Sequence, residues 1–264
     1  MNGWGVFSTI RVQDGVMFAW ERHWARMKRD AARLRVPFPE QSIEEQLYRL
    51  IDANRASNAT LRVIVVRNRG GMWEGPAAAD GPFDTIAFTA PLNDWGTSVK
   101  LGIAPHARHA ASEFAGVKYN SWSENLARYE RAHEQGLDEV VLLNERGEVS
   151  ECTSANVFAA SGDQVWTPPL SAGCLPGVTR ALLLEEIRAP GLKASEKILL
   201  PKDLESADEV FITSTTRDLM PVVSIEGLRL KGGSTRVYSR LQEAFSTYIA
   251  EYVKSHVRET EKVL

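Results

Sequence analysis

The apolar positions of the first forty residues change period once. Residues 6–12 are dominated by β-branched and aromatic side chains, Asp14-Gly15 is a turn signal, and residues 16–20 are apolar again. That pattern predicts a β-hairpin. From Trp20 onward the apolar positions fall at helical spacing, with Trp20, Trp24, Met27, Ala31 and Leu34 on one stripe. Pro37 and Pro39 end that helix. Ser42 with Glu45 reads as a capping box for a second helix carrying Ile43, Leu47, Leu50 and Ile51. Strands are expected at 60–67, 84–89 and 98–104, the first two separated by the glycine- and proline-rich segment 70–82.

Residues 105–116 hold neither period and predict a division of the chain. The expectation is an N-terminal α/β domain at 1–108, a linker at 109–116, and a C-terminal α/β domain at 117–264. The second half reads as a helix at 123–135, a strand at 139–143, a turn at 144–147 and a strand at 148–159. A short strand at 165–167, a helix opening near Gly177, a strand at 209–213 and a final amphipathic helix at 235–254 follow. Strands mixed with helices, with hairpins present, predict an α+β (mixed α/β) fold rather than a doubly wound sheet.

Composition narrows the function classes. With 264 residues, 44% hydrophobic and 25% charged, the chain is globular in composition. A formal net charge of −3 gives no electrostatic footprint for nucleic acid or an anionic membrane. No apolar stretch approaches the roughly 20 residues of a membrane span, and no secretory leader is visible, so a cytoplasmic protein is expected. Two cysteines make no disulfide framework, and Cys152 reads as a small core residue. His106 and His109 lack partners for a recognisable metal site, so no metal is expected. No nucleophile elbow, Walker loop or dinucleotide fingerprint follows a strand.

Several residues nevertheless carry chemistry. Lys118, in Gly116-Val-Lys-Tyr-Asn, has apolar or neutral neighbours, and burial would free its amine as a nucleophile toward an aldehyde. The plain alternative is a surface lysine. Glu151, ahead of Cys-Thr-Ser-Ala-Asn156, reads either as an exposed strand-edge carboxylate or as a buried anion opposite a cationic ring nitrogen. Gly177-Val-Thr-Arg180 opens a helix whose free amides, with the Thr179 hydroxyl, form a plausible phosphate cradle. The strand 211–216 ends in four hydroxyl residues that would add donors to the same anion. Arg26 lies roughly 115° from the centre of the first helix's apolar stripe, with His23 closer to it.

Taken in order, these elements resemble the class IV, fold-type IV pyridoxal-phosphate enzymes, which include branched-chain and D-amino acid aminotransferases, (R)-selective amine aminotransferases and aminodeoxychorismate lyase. The resemblance runs from Gly5-Val-Phe-Ser-Thr-Ile-Arg-Val12 through Glu21-Arg-His-Trp-Ala-Arg26, Lys118 and Gly147-Glu-Val-Ser-Glu-Cys-Thr-Ser-Ala-Asn-Val-Phe158. It ends with Leu175-Pro-Gly-Val-Thr-Arg180 and Phe211-Ile-Thr-Ser-Thr-Thr216. The resemblance implies a two-domain fold-type IV architecture, bound pyridoxal 5′-phosphate, a small amino acid or amine substrate, and a homodimer. It matches Lys118 to the Schiff-base lysine and catalytic residue, and Glu151 to the carboxylate on the pyridine nitrogen. Arg26, Val178, Thr179 and Thr215 match phosphate ligands, and Ser154 matches a serine near the ring. Phe7, Ser8 and Thr9 fall in the substrate-pocket strand.

The sequence departs from the family in places. Met1 stands almost at the first motif, where the family usually carries a preceding strand and turn. Phe7 replaces the tyrosine of D-amino acid aminotransferases, and the cations that grip the substrate carboxylate there have no clear match, Arg67, Arg69 and Arg108 being the nearest. Residues 211–222 resemble the D-amino acid aminotransferases, while Glu151-Cys-Thr-Ser-Ala-Asn and the Lys118-to-Glu151 spacing resemble the lyases. Met72 and Trp73 stand where an anionic substrate would want positive charge, which favours an aminotransferase. The alternatives are 4-amino-4-deoxychorismate lyase, releasing pyruvate and 4-aminobenzoate, and a non-catalytic ligand-binding relative of the fold.

Overall fold

The computed structural model describes residues 3–68, 81–232 and 235–257. The glycine-rich segment together with Arg69, Met72 and Trp73 lies outside these residues, apart from positions 81 and 82. The chain groups into two units, one of residues 1–93, 118–121 and 247–264, the other of residues 94–117 and 122–246.

In the first unit, β1 (Gly5–Gln13) turns at Asp14-Gly15 into β2 (Val16–Met17). Both turn residues have positive φ, 49° and 80°, the geometry a tight two-residue hairpin demands. β2 is only two residues long because the chain enters α1 (Trp20–Arg33) through Ala19, itself at φ 53°. α2 (Glu44–Ala53) follows. Its start departs from the expected capping box: the Ser42 hydroxyl accepts the Glu44 N–H at 3.3 Å, so the helix begins beyond Ile43. β3 (Ala59–Arg67) and β4 (Phe83–Ala90) complete an antiparallel sheet in the order β2-β1-β3-β4.

One face of that sheet buries Val6, Ile10, Leu61, Val63 and Val65 against Met27, Ala31, Leu47 and Ile51 of the helices. Fully burying each such aliphatic side chain is worth about 1.5–3 kcal/mol. The opposite face carries Phe7, Arg62 and Ile64 with Ile86 and Phe88, the last two more than 40% exposed. Because β2 covers only Val12 and Gln13, the rest of the outer edge of β1 is left for residues 118–121. Tyr119 bridges to Val6, and the Asn120 N–H donates to the Gly5 carbonyl at 2.9 Å. Gly5 is required there, since a Cβ would collide with the Val65 carbonyl oxygen.

The second unit contains β5 (Val99–Arg108), α3 (Ser123–Glu134), β6 (Glu139–Asn144), β7 (Val149–Cys152), β8 (Asn156–Ser161) and β9 (Gln164–Thr167). α4 (Val178–Glu185), β10 (Lys193–Glu196), α5 (Pro201–Ser206), β11 (Glu209–Ser214) and β12 (Asp218–Ile225) follow, and α6 (Arg236–Ser255) begins in this unit and passes into the first. Its eight strands form one mixed sheet in the order β10-β9-β8-β11-β12-β5-β6-β7. Pairings are parallel for β10 with β9, β12 with β5 and β5 with β6, and antiparallel elsewhere. The mixed α/β expectation therefore stands.

Two differences from the sequence reading have clear causes. β5 runs to Arg108 as a strand of the second unit's sheet, so residues 94–117 group with that unit rather than with an N-terminal domain and linker. The single strand expected at 148–159 is two strands, broken at Thr153-Ser154-Ala155, where the side chains of Thr153 and Ser154 turn onto the fully buried carboxylate of Glu139. Among the described residues no helix is long and apolar enough to cross a membrane.

Candidate active site

α1 and β1 build a polar cluster inside the first unit. The same stripe that buries Met27 and Ala31 also buries His23, Arg26 and Asp30, one turn apart along the helix. Ser8, on the helix-facing side of β1, meets two of them. Its hydroxyl oxygen accepts from Arg26 Nη2 at 2.9 Å and lies 2.8 Å from His23 Nδ1. Ser8 and His23 are fully buried and Arg26 is 6% exposed.

Arg26 has no carboxylate partner among the described residues, and its Nε has no hydrogen-bond partner. Burial lowers its pKa to about 10, reinforced by Arg29 and opposed by Asp30. Burial, together with Arg26 and Lys118, holds His23 well below its usual range, so the imidazole is neutral.

Lys118 reaches this unit through its backbone. Its N–H donates to Asp30 Oδ2 at 3.0 Å and its carbonyl accepts the Phe7 N–H at 3.2 Å. Its Nζ lies 4.5 Å from the centre of the Phe7 ring, and the Arg62 guanidinium lies 4.1 Å from the same centre. Both are cation–π distances. Phe7 and Thr9 therefore share the face that bears Arg62. Ser8, expected in the same pocket, points the other way because successive strand residues alternate faces.

The second unit places Glu151 on β7, 7% exposed. Arg108 Nε donates to one of its oxygens at 3.0 Å and the Leu175 N–H to the other at 2.9 Å. The β5 bulge at His106, φ 53°, shifts the register so that Arg108 stands opposite Asn144. Arg108 also donates to Asn125 at 3.0 Å, and Arg67 donates to the Arg35 carbonyl at 2.6 Å, so neither is an uncommitted cation.

Ser154 joins a second buried network. Arg217 Nη1 donates to Glu139 at 2.9 Å and to the Ser154 hydroxyl at 2.8 Å. The Ser154 and Thr153 hydroxyls donate to Glu139 in short contacts, and the Ser154 N–H does so at 3.1 Å. The Arg217 guanidinium stacks 4.0 Å from the centre of the Trp95 ring. Val178 and Thr179 occupy the first turn of α4, both buried, with Gly177 as its extended N-cap. Gly177 has no room for a Cβ, which would strike Asn156 Oδ1. Thr215 follows β11, and the buried hydroxyl of nearby Thr213 has no hydrogen-bond partner among the described residues. Cys152 is buried with its thiol pushed up by desolvation, in keeping with a core role.

Sequence reasoning missed Arg62, Asn125, Glu139 and Arg217. The one signal was Glu139 itself, a carboxylate leading a strand of otherwise mostly apolar residues.

Comparison with known proteins completes the description. The family model for amino-transferase class IV matches residues 5–225. A D-alanine aminotransferase from Bacillus licheniformis is 31% identical over 235 residues, 88% of this chain and 82% of the relative. The branched-chain-amino-acid aminotransferase of Escherichia coli is 29% identical over 266 residues, covering 92% and 83%. Among solved structures, a Legionella pneumophila protein provisionally named a 4-amino-4-deoxychorismate lyase superposes with a TM-score of 0.84 at 25% identity, over 93% of this chain and 91% of its own. The Escherichia coli branched-chain amino acid aminotransferase gives 0.81 at 26% identity, over 94% and 85%.

Proposed function

The chain belongs to the class IV aminotransferases, and from that premise we propose that it is a pyridoxal 5′-phosphate-dependent aminotransferase acting between an amino acid or amine and an oxo acid. The observation that carries the reading is the buried Arg26 guanidinium, which has no ion-pair partner among the described residues because the nearby Asp30 is engaged by Arg29 and by the Lys118 N–H. A buried cation without a direct ion pair is costly unless an anion joins it, and a phosphate fits that need. Within the second unit, the first turn of α4 and the unpartnered Thr213 hydroxyl are donors of the kind an anion uses.

When bound, the cofactor supplies an aldehyde that captures amines and a ring that withdraws electrons. Lys118 provides the attachment amine and then carries the proton at the substrate Cα. Glu151, which accepts from Arg108 and the Leu175 N–H, would face the ring nitrogen and hold a proton on it. Arg26, the Val178 amide, and the Thr179 and Thr215 hydroxyls bind the phosphate. Ser154 spends its single proton on Glu139, so toward the ring it only accepts. Phe7 and Thr9 form a wall of the substrate pocket, and Arg62, over the Phe7 ring, is the cation placed to attract a substrate carboxylate. The exposed Ile86 and Phe88 beside Ile64 give a homodimer an apolar face to cover.

A second reading is a lyase that expels pyruvate from aminodeoxychorismate, favoured by the Legionella pneumophila structure. A single-turnover assay with the cofactor-loaded protein separates the two. An aminotransferase converts an L- or D-amino acid to oxo acid stoichiometrically with enzyme and yields little 4-aminobenzoate from aminodeoxychorismate. Rapid 4-aminobenzoate release with no oxo acid from any amino donor reverses the assignment. Absence of both products, with no borohydride-fixed cofactor on Lys118, leaves a non-catalytic relative of the fold.

A further inference from the structure

The roles above leave His23 and Ser8 unassigned, yet they are the polar groups in hydrogen-bond contact with one another and, through Ser8, with Arg26. The hydrogen count at Ser8 fixes the direction of each bond. A guanidinium has no acceptor, so the Ser8 oxygen accepts from Arg26 Nη2. Ser8 is fully buried and its hydroxyl has no other partner among the described residues. Were Nδ1 of His23 to carry a proton, both neighbours of the Ser8 oxygen would be donors and the buried hydroxyl proton would have no acceptor. The arrangement that gives the Ser8 proton an acceptor has Ser8 O–H donating to Nδ1, with the imidazole proton on Nε2.

Resting on the reading of Arg26 as a phosphate ligand, we propose that His23 and Ser8 are positioning residues for the phosphate. The neutral imidazole anchors the Ser8 hydroxyl, and that hydroxyl anchors the Arg26 guanidinium in the orientation that receives the anion. His23 suits this task because it accepts a proton without adding an anion. A carboxylate in its place would pair with Arg26 and compete with the ligand for its charge. Two further donors in the cluster, His23 Nε2 and Arg26 Nε, are buried without acceptors. The charged groups acting on His23 are Arg26 and Lys118, and the Asp30 that acts on Arg26 is already engaged by Arg29 and by the Lys118 N–H. The cluster thus has more donors than acceptors, a shortage that an oxygen-rich anion relieves.

Equilibrium titration with pyridoxal 5′-phosphate and with pyridoxal, followed by absorbance and needing no turnover, tests the relay. His23→Leu is expected to weaken pyridoxal 5′-phosphate about tenfold, the worth of roughly one hydrogen bond to a charged group, while pyridoxal changes by less than about twofold. Ser8→Ala should do the same. His23→Asn, whose amide oxygen stands about as far from Cβ as Nδ1, should recover most of the loss. Equal weakening of both ligands, unchanged affinity, or no recovery in His23→Asn overturns the proposal. If the variants do not fold, imidazole ¹⁵N shifts of the parent protein decide: an unprotonated Nδ1 at neutral pH supports the relay, and a protonated Nδ1 overturns it. A parent protein that binds neither compound overturns the functional reading and this inference together. A parent that binds the phosphate form, with indifferent variants, overturns this inference alone.

Discussion

Arg26 and Arg217 are both buried arginines, and the chain solves the cost of burying them in opposite ways. Arg217 is 3% exposed and ion-paired to Glu139, whose other acceptor sites are filled by Thr153 and Ser154, with Trp95 stacked on the guanidinium. Arg26 meets one neutral hydroxyl, backed by a neutral imidazole. The first network is electrostatically closed and serves the fold of its unit. The second is open, with no carboxylate ion-paired to Arg26 among the described residues, and it is there that the proposed phosphate would bind. A buried cation is thus informative less for its charge than for whether the fold has already answered it.

The sharpest test of that contrast is Lys118→Ala. If the first cluster is where chemistry occurs, turnover should fall by about 10²–10⁴-fold, with the melting temperature nearly unchanged. Normal turnover would remove the cluster from the reaction. Next in size is the closed network. Arg217→Met leaves Glu139 buried and unpaired, and urea unfolding should show a loss of about 3–5 kcal/mol. The double variant Glu139→Gln with Arg217→Met should lose less than that. Additive losses would show that the two do not act as a pair.

Arg26→Met should give the opposite result to Arg217→Met. Without ligand it should not destabilise the protein, because it removes an unanswered charge, and cofactor affinity should fall by about 1.5–3 kcal/mol. A destabilised apo protein with unchanged affinity would make the two arginines alike. The smallest effect is a pH slope. Burial and the neighbouring cations hold the folded pKa of His23 below 6.5, so on acidification the unfolded chain takes up that proton first. Its contribution is intact above pH 6.5 and is lost as pH falls toward the folded pKa, at no more than about 1.4 kcal/mol per pH unit. His23→Asn should remove this component from the apo protein's stability profile, and an unaltered profile would exclude it.

Much of the architecture was legible because period carries it. The stripe Trp20–Met27–Ala31 specified α1, and Asp14-Gly15 specified the first hairpin. β10 was missed because Lys193–Glu196 has no apolar alternation, being an edge strand that pairs on one side only. The break between β7 and β8 was illegible because its cause, Glu139, lies 14 residues away from Thr153. Among the candidate site residues, Lys118, Glu151 and Arg26 stood out in the sequence by their setting and motif order. Arg217 did not, since its partner Glu139 stands 78 residues away and nothing in the sequence links the two. Ser8 was seen but given the wrong wall of the strand, for motif order records neighbours in sequence and not the face each one takes.

The tetrapeptide of residues 118–121 has a consequence for how the molecule assembles. It belongs to the first unit yet is preceded and followed by segments of the second. The Lys118 N–H meets Asp30 across 88 residues, and Tyr252 of α6 meets Glu21 across 231. Closing such loops costs entropy before any contact repays it, so the lysine is expected to reach its place late in folding. A fragment cut after residue 93 would carry Arg26, Ser8 and His23 but neither the lysine nor the helix end that completes its unit. The placement of Lys118 is therefore a product of whole-chain folding, and a cut after residue 93 would separate it from the residues it meets in the first unit.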